Sequence, residues 1–217
     1  MSGVDTIETK HAAGKGPDVV VCWSCKGPVS PRALFCATCG SVQPPHPLDH
    51  FARLGLSRTF DLVEDDLARQ YFGLQARLHP DRFATKSARE RAISMSQATA
   101  LNQAYQVLRD PVTRAEHLLS LAGVPVHGDA SGTVSDPELL METMERREEL
   151  ASAQSAQDVA RIAARADTDM RACVAAVSKA FRAGDPAGAA RLTTRLKYLT
   201  KLADEARARA GRFQDTE

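Results

Sequence analysis

The sequence predicts an all-α protein: a helical hairpin followed by a three-helix bundle, with a small four-cysteine metal knuckle in front. Three observations carry this. Apolar residues recur at helical spacing along most of the 217 residues, and aromatics are only 5% of the chain, which favours helix packed on helix over sheet. Helix-starting signals, Ser or Asp followed three residues later by Glu or Asp, or Asp followed at once by Pro, open most of those segments. Four of the five cysteines lie outside the helical segments, as two C-x-x-C pairs. Hydrophobic content of 43% and charged content of 25% fit a soluble globular protein. The net charge is +1, from 28 basic and 27 acidic residues. No bulk field therefore argues for nucleic acid or an anionic membrane, and electrostatic recognition must be local. No apolar run is long enough to span a bilayer.

Residues 1–19 read as a disordered lead. Met1 to Pro17 has no apolar signal core and no Arg, and it carries Asp5 and Glu8. A secretory or Arg-rich transit signal is disfavoured, so the expected location is cytoplasmic, with the mitochondrial matrix as the alternative. Residues 20–42 hold Cys22-x-x-Cys25 and, after ten intervening residues, Cys36-x-x-Cys39. Each pair can converge two thiolates on one ion from a tight turn, and two pairs complete a tetrahedral site. So short a segment cannot build a core alone, and a metal would supply its folding energy. Structural zinc is the expected occupant. Iron is the rival, and two disulfides or a redox pair are the non-metal alternatives. Gln43-Pro44-Pro45-His46-Pro47 reads as a stiff linker separating the knuckle from the helices.

The hairpin module spans residues 48–123. Leu48 to Leu54 gives a short helix ending at Gly55. Asp61-x-x-Glu64 reads as a capping box for the next helix, on which Leu67, Tyr71, Leu74 and Leu78 form one apolar stripe. Arg69 and Arg77 fall off that stripe and are expected to face solvent. Ser87-x-x-Glu90 opens a helix to Leu108, with Ala98, Leu101, Tyr105 and Leu108 at helical spacing. Asp110-Pro111 starts another, ending near Gly123. Between the two long helices, His79-Pro80-Asp81 opens a nine-residue loop, so the helices must run antiparallel. Pro80 breaks the helix, and a His and an Asp flanking a rigid Pro at an exposed corner read as a contact device.

The bundle module spans residues 136–217, after a loop rich in Gly, Pro, Asp and Ser. Asp136-Pro137, Ser155-x-x-Asp158 and Gly184-Asp185-Pro186 mark three helix starts. On the first helix, at roughly 100° per residue, Leu139 and Leu150 share one face while Leu140, Met141, Met144, Glu145 and Glu148 centre on another. A bundle helix needs one apolar stripe. The second, bordered by carboxylates, fits a protein-binding patch, with burial against the hairpin as the bland alternative. Cys173, beside Val174 and Val177, reads as a buried small hydrophobe. His46, His50, His117 and His127 have no spacing that suggests a site.

The hairpin resembles a J-domain, the part of DnaJ-type co-chaperones that engages a DnaK-type ATPase. The matching residues are Tyr71, Leu78-His79-Pro80-Asp81-Arg82, and Leu101-Asn102-Gln103-Ala104-Tyr105-Gln106-Val107-Leu108-Arg109-Asp110-Pro111. A narrower resemblance, to the HscB co-chaperones of iron–sulfur cluster biogenesis, rests on Arg114-Ala115-Glu116-His117-Leu118-Leu119-Ser120-Leu121 and on Leu140-Met141-Glu142 through Leu150. The Cys22-Trp23-x-Cys25 knuckle resembles the extra N-terminal module of some members.

The resemblance implies that His79, Pro80 and Asp81, with Arg69, Arg77 and Arg82, contact a DnaK/HscA-type chaperone. It further implies that Leu140, Met141, Met144, Glu145, Glu148 and Tyr198 bind an IscU-type iron–sulfur scaffold. Met144 and Tyr198 stand where Leu and Phe are common in that family. A non-enzymatic adaptor is expected, monomeric, without nucleic-acid or membrane partners. The competing readings are a general DnaJ-type co-chaperone for unfolded clients and a zinc-ribbon nucleic-acid or redox module. Single basic residues in the knuckle regions, Lys26 and Arg32, speak against nucleic acid.

Overall fold

The structure, a computed structural model, describes residues 19–125 and 137–214, with side chains as far as residue 211. The expected disordered lead up to residue 18, His127 and Asp136 lie outside those residues. The element order is β1 (Val20–Val21), β2 (Pro28–Val29), α1 (His50–Leu54), α2 (Glu64–Leu78), a 3-10 turn (Pro80–Phe83), α3 (Ala88–Arg109), α4 (Pro111–Leu121), α5 (Pro137–Ser152), α6 (Ala156–Arg182) and α7 (Pro186–Gln214). The all-α class holds. The only sheet among the described residues is the antiparallel pair β1–β2, with Val20 opposite Val29.

Most helix starts follow the sequence signals. Ser87 Oγ accepts from the Glu90 amide (3.2 Å), and the Glu90 carboxylate accepts from the Ser87 amide (3.1 Å), a reciprocal capping box. Asp110 Oδ1 accepts from Thr113 N (2.8 Å), Ser155 Oγ from Asp158 N (3.1 Å) and Asp185 Oδ1 from Gly188 N (2.8 Å). Gly55 and Gly184 close α1 and α6 at φ 69° and 66°, left-handed values that a side chain would strain. Asp61 is the exception. It does not cap α2, whose first turn hangs from the Val63 carbonyl. Its carboxylate instead accepts from Arg182 Nε on α6 (2.7 Å), a charge-assisted bond that outcompetes a neutral cap.

The described residues form two compact units. The first comprises 19–48 with Ala76–Ala100: the knuckle together with the end of α2, the nine-residue loop and the first half of α3. Here Ser94 Oγ, fully buried, donates to the Leu78 carbonyl (2.7 Å) and ties the last turn of α2 to α3. Gln43 is not a spacer. It is 1% exposed, and its carbonyl accepts from Gln97 Nε2 of α3 (2.8 Å).

The second unit comprises Asp49–Gln75 and Leu101 to the end of α7. Within it the hairpin continues through stacked Tyr71 and Tyr105 (4.2 Å between ring centroids) and a Tyr71 hydroxyl bond to Asn102 Oδ1 (2.8 Å). The order of these ties, 78 with 94 and 71 with 102, makes α2 and α3 antiparallel. Helix α4 stitches the hairpin base to the bundle. Val112 packs with Cys173, Leu196 and Leu199, while Leu119 packs with Ala189 and Ala190. Leu150, Val159, Ile162, Ala166, Leu202 and Ala206 fill the other end of the bundle. Arg114 crosses the base buried, donating to the Leu108 carbonyl (2.9 Å) with its guanidinium over Phe60 (4.9 Å).

Candidate functional site

The four knuckle cysteines converge. Their Sγ atoms all lie within 4.8 Å of one another, with Cys22–Cys39 at 3.8 Å and Cys25–Cys36 at 3.7 Å. Tetrahedral ligands at about 2.3 Å from one ion stand about 3.8 Å apart, so these two pairs already have the spacing of a filled site. A disulfide would need about 2 Å, which removes that alternative. The two turns are built alike. Lys26 N donates to the Cys22 carbonyl (3.0 Å) and Gly40 N to the Cys36 carbonyl (2.9 Å), and both donors take left-handed backbone, φ 65° and 73°. The Ser41 hydroxyl and amide pull the Cys39 thiol down to about 6. Cys25 is pushed up to about 11: the Gly27 amide favours its thiolate, but burial and the neighbouring thiols outweigh it. Four thiolates in one cluster need a cation, and the site can hold a metal ion.

The His79-Pro80-Asp81 corner projects from the end of α2. Pro80 opens the 3-10 turn, anchored by buried Phe83. His79 Nδ1 accepts from the Asp81 amide (3.4 Å), and the Asp81 side chain is 90% exposed. Nothing in the described fold uses that carboxylate beyond a 3.4 Å approach to His79 Nδ1. Of the three arginines, Arg69 pairs with Asp66 on its own helix, and Arg82 reaches back to the Ala76 carbonyl (3.5 Å). Arg77 is exposed, but its guanidinium stands over the Phe35 ring of the knuckle (5.3 Å) instead of pointing freely into solvent.

On α5 the two-stripe pattern is realised. Leu139 and Leu150 are buried, whereas Leu140, Met141 and Met144 are 47%, 63% and 59% exposed. Among the described residues, the second stripe is not buried. The helix is held by ion pairs: Arg146 to Asp169 of α6 (2.6 Å), Glu142 to Arg195 of α7 (2.8 Å) and Arg147 to Glu205 (3.0 Å). Arg209 of α7 donates to the Ala153 carbonyl just past its end (2.8 Å). Met141 and Glu145 line an open cleft of about 940 Å³ with Arg191 and Leu192 of α7. Leu140, Met144 and Glu148 are not among its lining residues. Tyr198 is half-buried in a smaller crevice beside Thr143, Arg146 and Arg147, which shares Leu139, Glu142 and Arg195 with the cleft. Arg147, which lines the same crevice as Tyr198 and pairs with Glu205, was not among the sequence candidates.

Sequence reasoning gave no contact role to Trp23, Phe35, Gln43, Arg89, Ser94 or Gln97. The buried face of α3 runs Ser94, Gln97, Leu101, Ala104, Leu108, but its first two members are polar and hide from an apolar count. The His50 and His117 rings meet tilted by 45° with centroids 4.4 Å apart, and the His50 amide donates to His117 Nε2. A separation of 67 residues concealed that pair. Cys173 is buried as expected, its thiol pushed up by burial.

A helical hairpin with an exposed His-Pro-Asp corner, followed by a bundle helix with a bare apolar stripe, defines a J-domain co-chaperone. The family model described as "HSCB C-terminal oligomerisation domain" matches residues 135–207. A Vibrio vulnificus protein named a co-chaperone protein HscB homolog is 37% identical over 162 residues, 73% of this chain and 94% of its own length. The mouse iron-sulfur cluster co-chaperone protein HscB is 31% identical over 203 residues, 92% of this chain and 86% of its own. The crystal structure of human co-chaperone protein HscB superposes with a TM-score of 0.82 at 29% identity, covering 88% of this chain and 98% of that one. Chaperone HscB from Vibrio cholerae gives 0.67 at 34% identity, covering 76% and 99%. This chain belongs to the HscB family of co-chaperones.

Proposed function

We propose that the protein binds an IscU-type iron–sulfur scaffold through α5, presents it to a DnaK/HscA-type chaperone, and stimulates that chaperone's ATPase through His79-Pro80-Asp81. It thereby aids iron–sulfur cluster assembly and transfer. The observation that carries the reading is the pairing of two unspent surfaces: the exposed Asp81 carboxylate on a proline-fixed corner, and the three large apolar side chains left bare on α5. A compact stripe bordered by Glu145 and Glu148 suits one folded partner better than the broad groove that unfolded clients need.

The residues act by position. Asp81 accepts paired hydrogen bonds from a guanidinium on the chaperone, His79 orients the Asp81 amide, and Pro80 fixes the angle between them. Arg77 and Arg82 offer positive charge beside that corner for an acidic partner surface, and Arg69 adds charge ten residues before His79 on α2. Hydrolysis belongs to the chaperone, and this chain acts without enzymatic chemistry of its own. Cys22, Cys25, Cys36 and Cys39 hold one zinc ion, which fixes the knuckle. The test is a steady-state ATPase assay with a DnaK-type chaperone. Asp81→Asn is expected to abolish stimulation while scaffold affinity stays unchanged. Full stimulation by the variant would sink the reading.

A further inference from the structure

We infer that the knuckle is a metal-dependent clamp on the chaperone-contacting corner, with Trp23 and Phe35 as its positioning residues. Each C-x-x-C turn supplies one aromatic, and each aromatic holds one end of the nine-residue loop. Trp23 lies inside the first turn, and the guanidinium of Arg89 stands over its ring at 4.4 Å. Phe35 directly precedes Cys36, and Arg77 stands over it at 5.3 Å. Arg77 is in the last turn of α2, two residues before His79, and Arg89 is the second residue of α3. The loop is therefore gripped on both sides of His79-Pro80-Asp81. A third tie runs from the metal site itself. Gln43 Nε2 donates to Cys22 Sγ (3.4 Å), and the Gln43 carbonyl accepts from Gln97 of α3.

The grip depends on the metal because the knuckle has little else to hold it. Its buried cluster is Cys22, Val29 and Cys36, and two of those three are ligands. Outside it stand one bond from Trp23 Nε1 to the carbonyl of buried Val42 (2.7 Å), a single antiparallel bridge between Phe35 and Val42, and the two-residue strands β1 and β2. When the ion leaves, the link between the two rings is Val42, whose carbonyl accepts from Trp23 and whose backbone pairs with Phe35, and a segment this short does not stay folded on so few contacts. Arg77 and Arg89 are exposed, so the rings orient their charge without hiding it from a partner. A knuckle that merely stabilised the fold would not need an aromatic under an exposed guanidinium at each end of the same loop.

This inference rests on the chaperone reading above, and the experiment separates the two. The full chain is compared zinc-loaded, stripped with a chelator, and as zinc-loaded Trp23→Leu/Phe35→Leu. Metal content is checked in each sample. Readouts are the concentration giving half-maximal stimulation of a DnaK-type ATPase, scaffold affinity, and hydrogen exchange across residues 76–100. Stripping and the double variant should each raise the half-maximal concentration about tenfold, the equilibrium worth of two exposed cation–aromatic contacts, with maximal stimulation retained. Exchange should quicken at the start of α3, and scaffold affinity should not move. Arg89→Met leaves the knuckle intact and serves if the double variant loses its metal. In it, loaded and stripped forms should differ less than in the wild type, the signature of coupling between ring and charge. Equal half-maximal concentrations for loaded and verified metal-free chain would overturn the clamp while Asp81→Asn still abolished stimulation. Full stimulation by Asp81→Asn would overturn the chaperone reading itself.

Discussion

Replacing Leu140, Met141 and Met144 together by alanine tests whether the bare stripe on α5 is a binding surface. The side chains are 47%, 63% and 59% exposed. Full burial of such a side chain is worth about 1.5–3 kcal/mol, so roughly half of that, about 1 kcal/mol each, is still available to a partner. The three together amount to about 3 kcal/mol, and at about 1.4 kcal/mol per decade the scaffold Kd should rise about 100-fold. The fold should not suffer, because Ala is a better helix former than Leu or Met and the lost atoms face solvent. Thermal melting should therefore shift by less than about 4 °C. Leu139→Ala is the contrasting control. That side chain is buried, so its removal should cost about 2–4 kcal/mol of stability. Isothermal titration with the purified scaffold measures the effect. A change in Kd below about threefold for the triple variant would refute the assignment of α5 as the docking helix.

Four further outcomes are expected. Ser94→Ala removes the buried hydroxyl that ties the Leu78 carbonyl to α3 and should cost about 1–2 kcal/mol, read from denaturant midpoints, with faster amide exchange around His79. Arg114→Met should cost about 2–3 kcal/mol, because the Leu108 carbonyl loses a charged donor and Phe60 its cation; a loss under about 0.5 kcal/mol would discount that role. Lys26→Gly should stabilise the knuckle by about 1 kcal/mol and slow metal loss to a chelator, since Lys26 holds the left-handed φ that Gly40 supplies in the sister turn. Acidification should destabilise the protein in a separate window. Burial, then the charge of its neighbour, lowers His50, and burial lowers His117, from an ordinary 6.5. The unfolded chain therefore takes up protons first, and stability is full above 6.5 and falls as pH drops toward the lower folded values. The Ser178 hydroxyl and Arg182 hold Asp61 below 3.8, so its contribution is lost only below that value. Melting between pH 7 and 5 should flatten in His117→Gln.

Much of the architecture is written locally. Capping pairs such as Ser87/Glu90 and Ser155/Asp158 are read three residues apart and are found in place, because a cap is satisfied by its own backbone. The C-x-x-C pairs are legible for the same reason, as each turn is closed by bonds within five residues. The two stripes of α5 follow from helix periodicity alone. Asp61 shows the limit of this. Its spacing to Glu64 is that of a cap, but a guanidinium 121 residues away takes the carboxylate.

The sequence alone thus determined the helices, the cysteine cluster, the projecting His-Pro-Asp corner and the face of α5 that stays bare. Local backbone chemistry and the 3.6-residue period suffice for each. Only the tertiary structure decided what the long-range polar side chains do. It placed Gln97 on the Gln43 carbonyl, paired His50 with His117, and set Trp23 and Phe35 under the arginines at either end of the loop. Those contacts join residues 42 to 67 positions apart, at polar or exposed sites that carry no apolar signal. Chain packing, not spacing, brings them together.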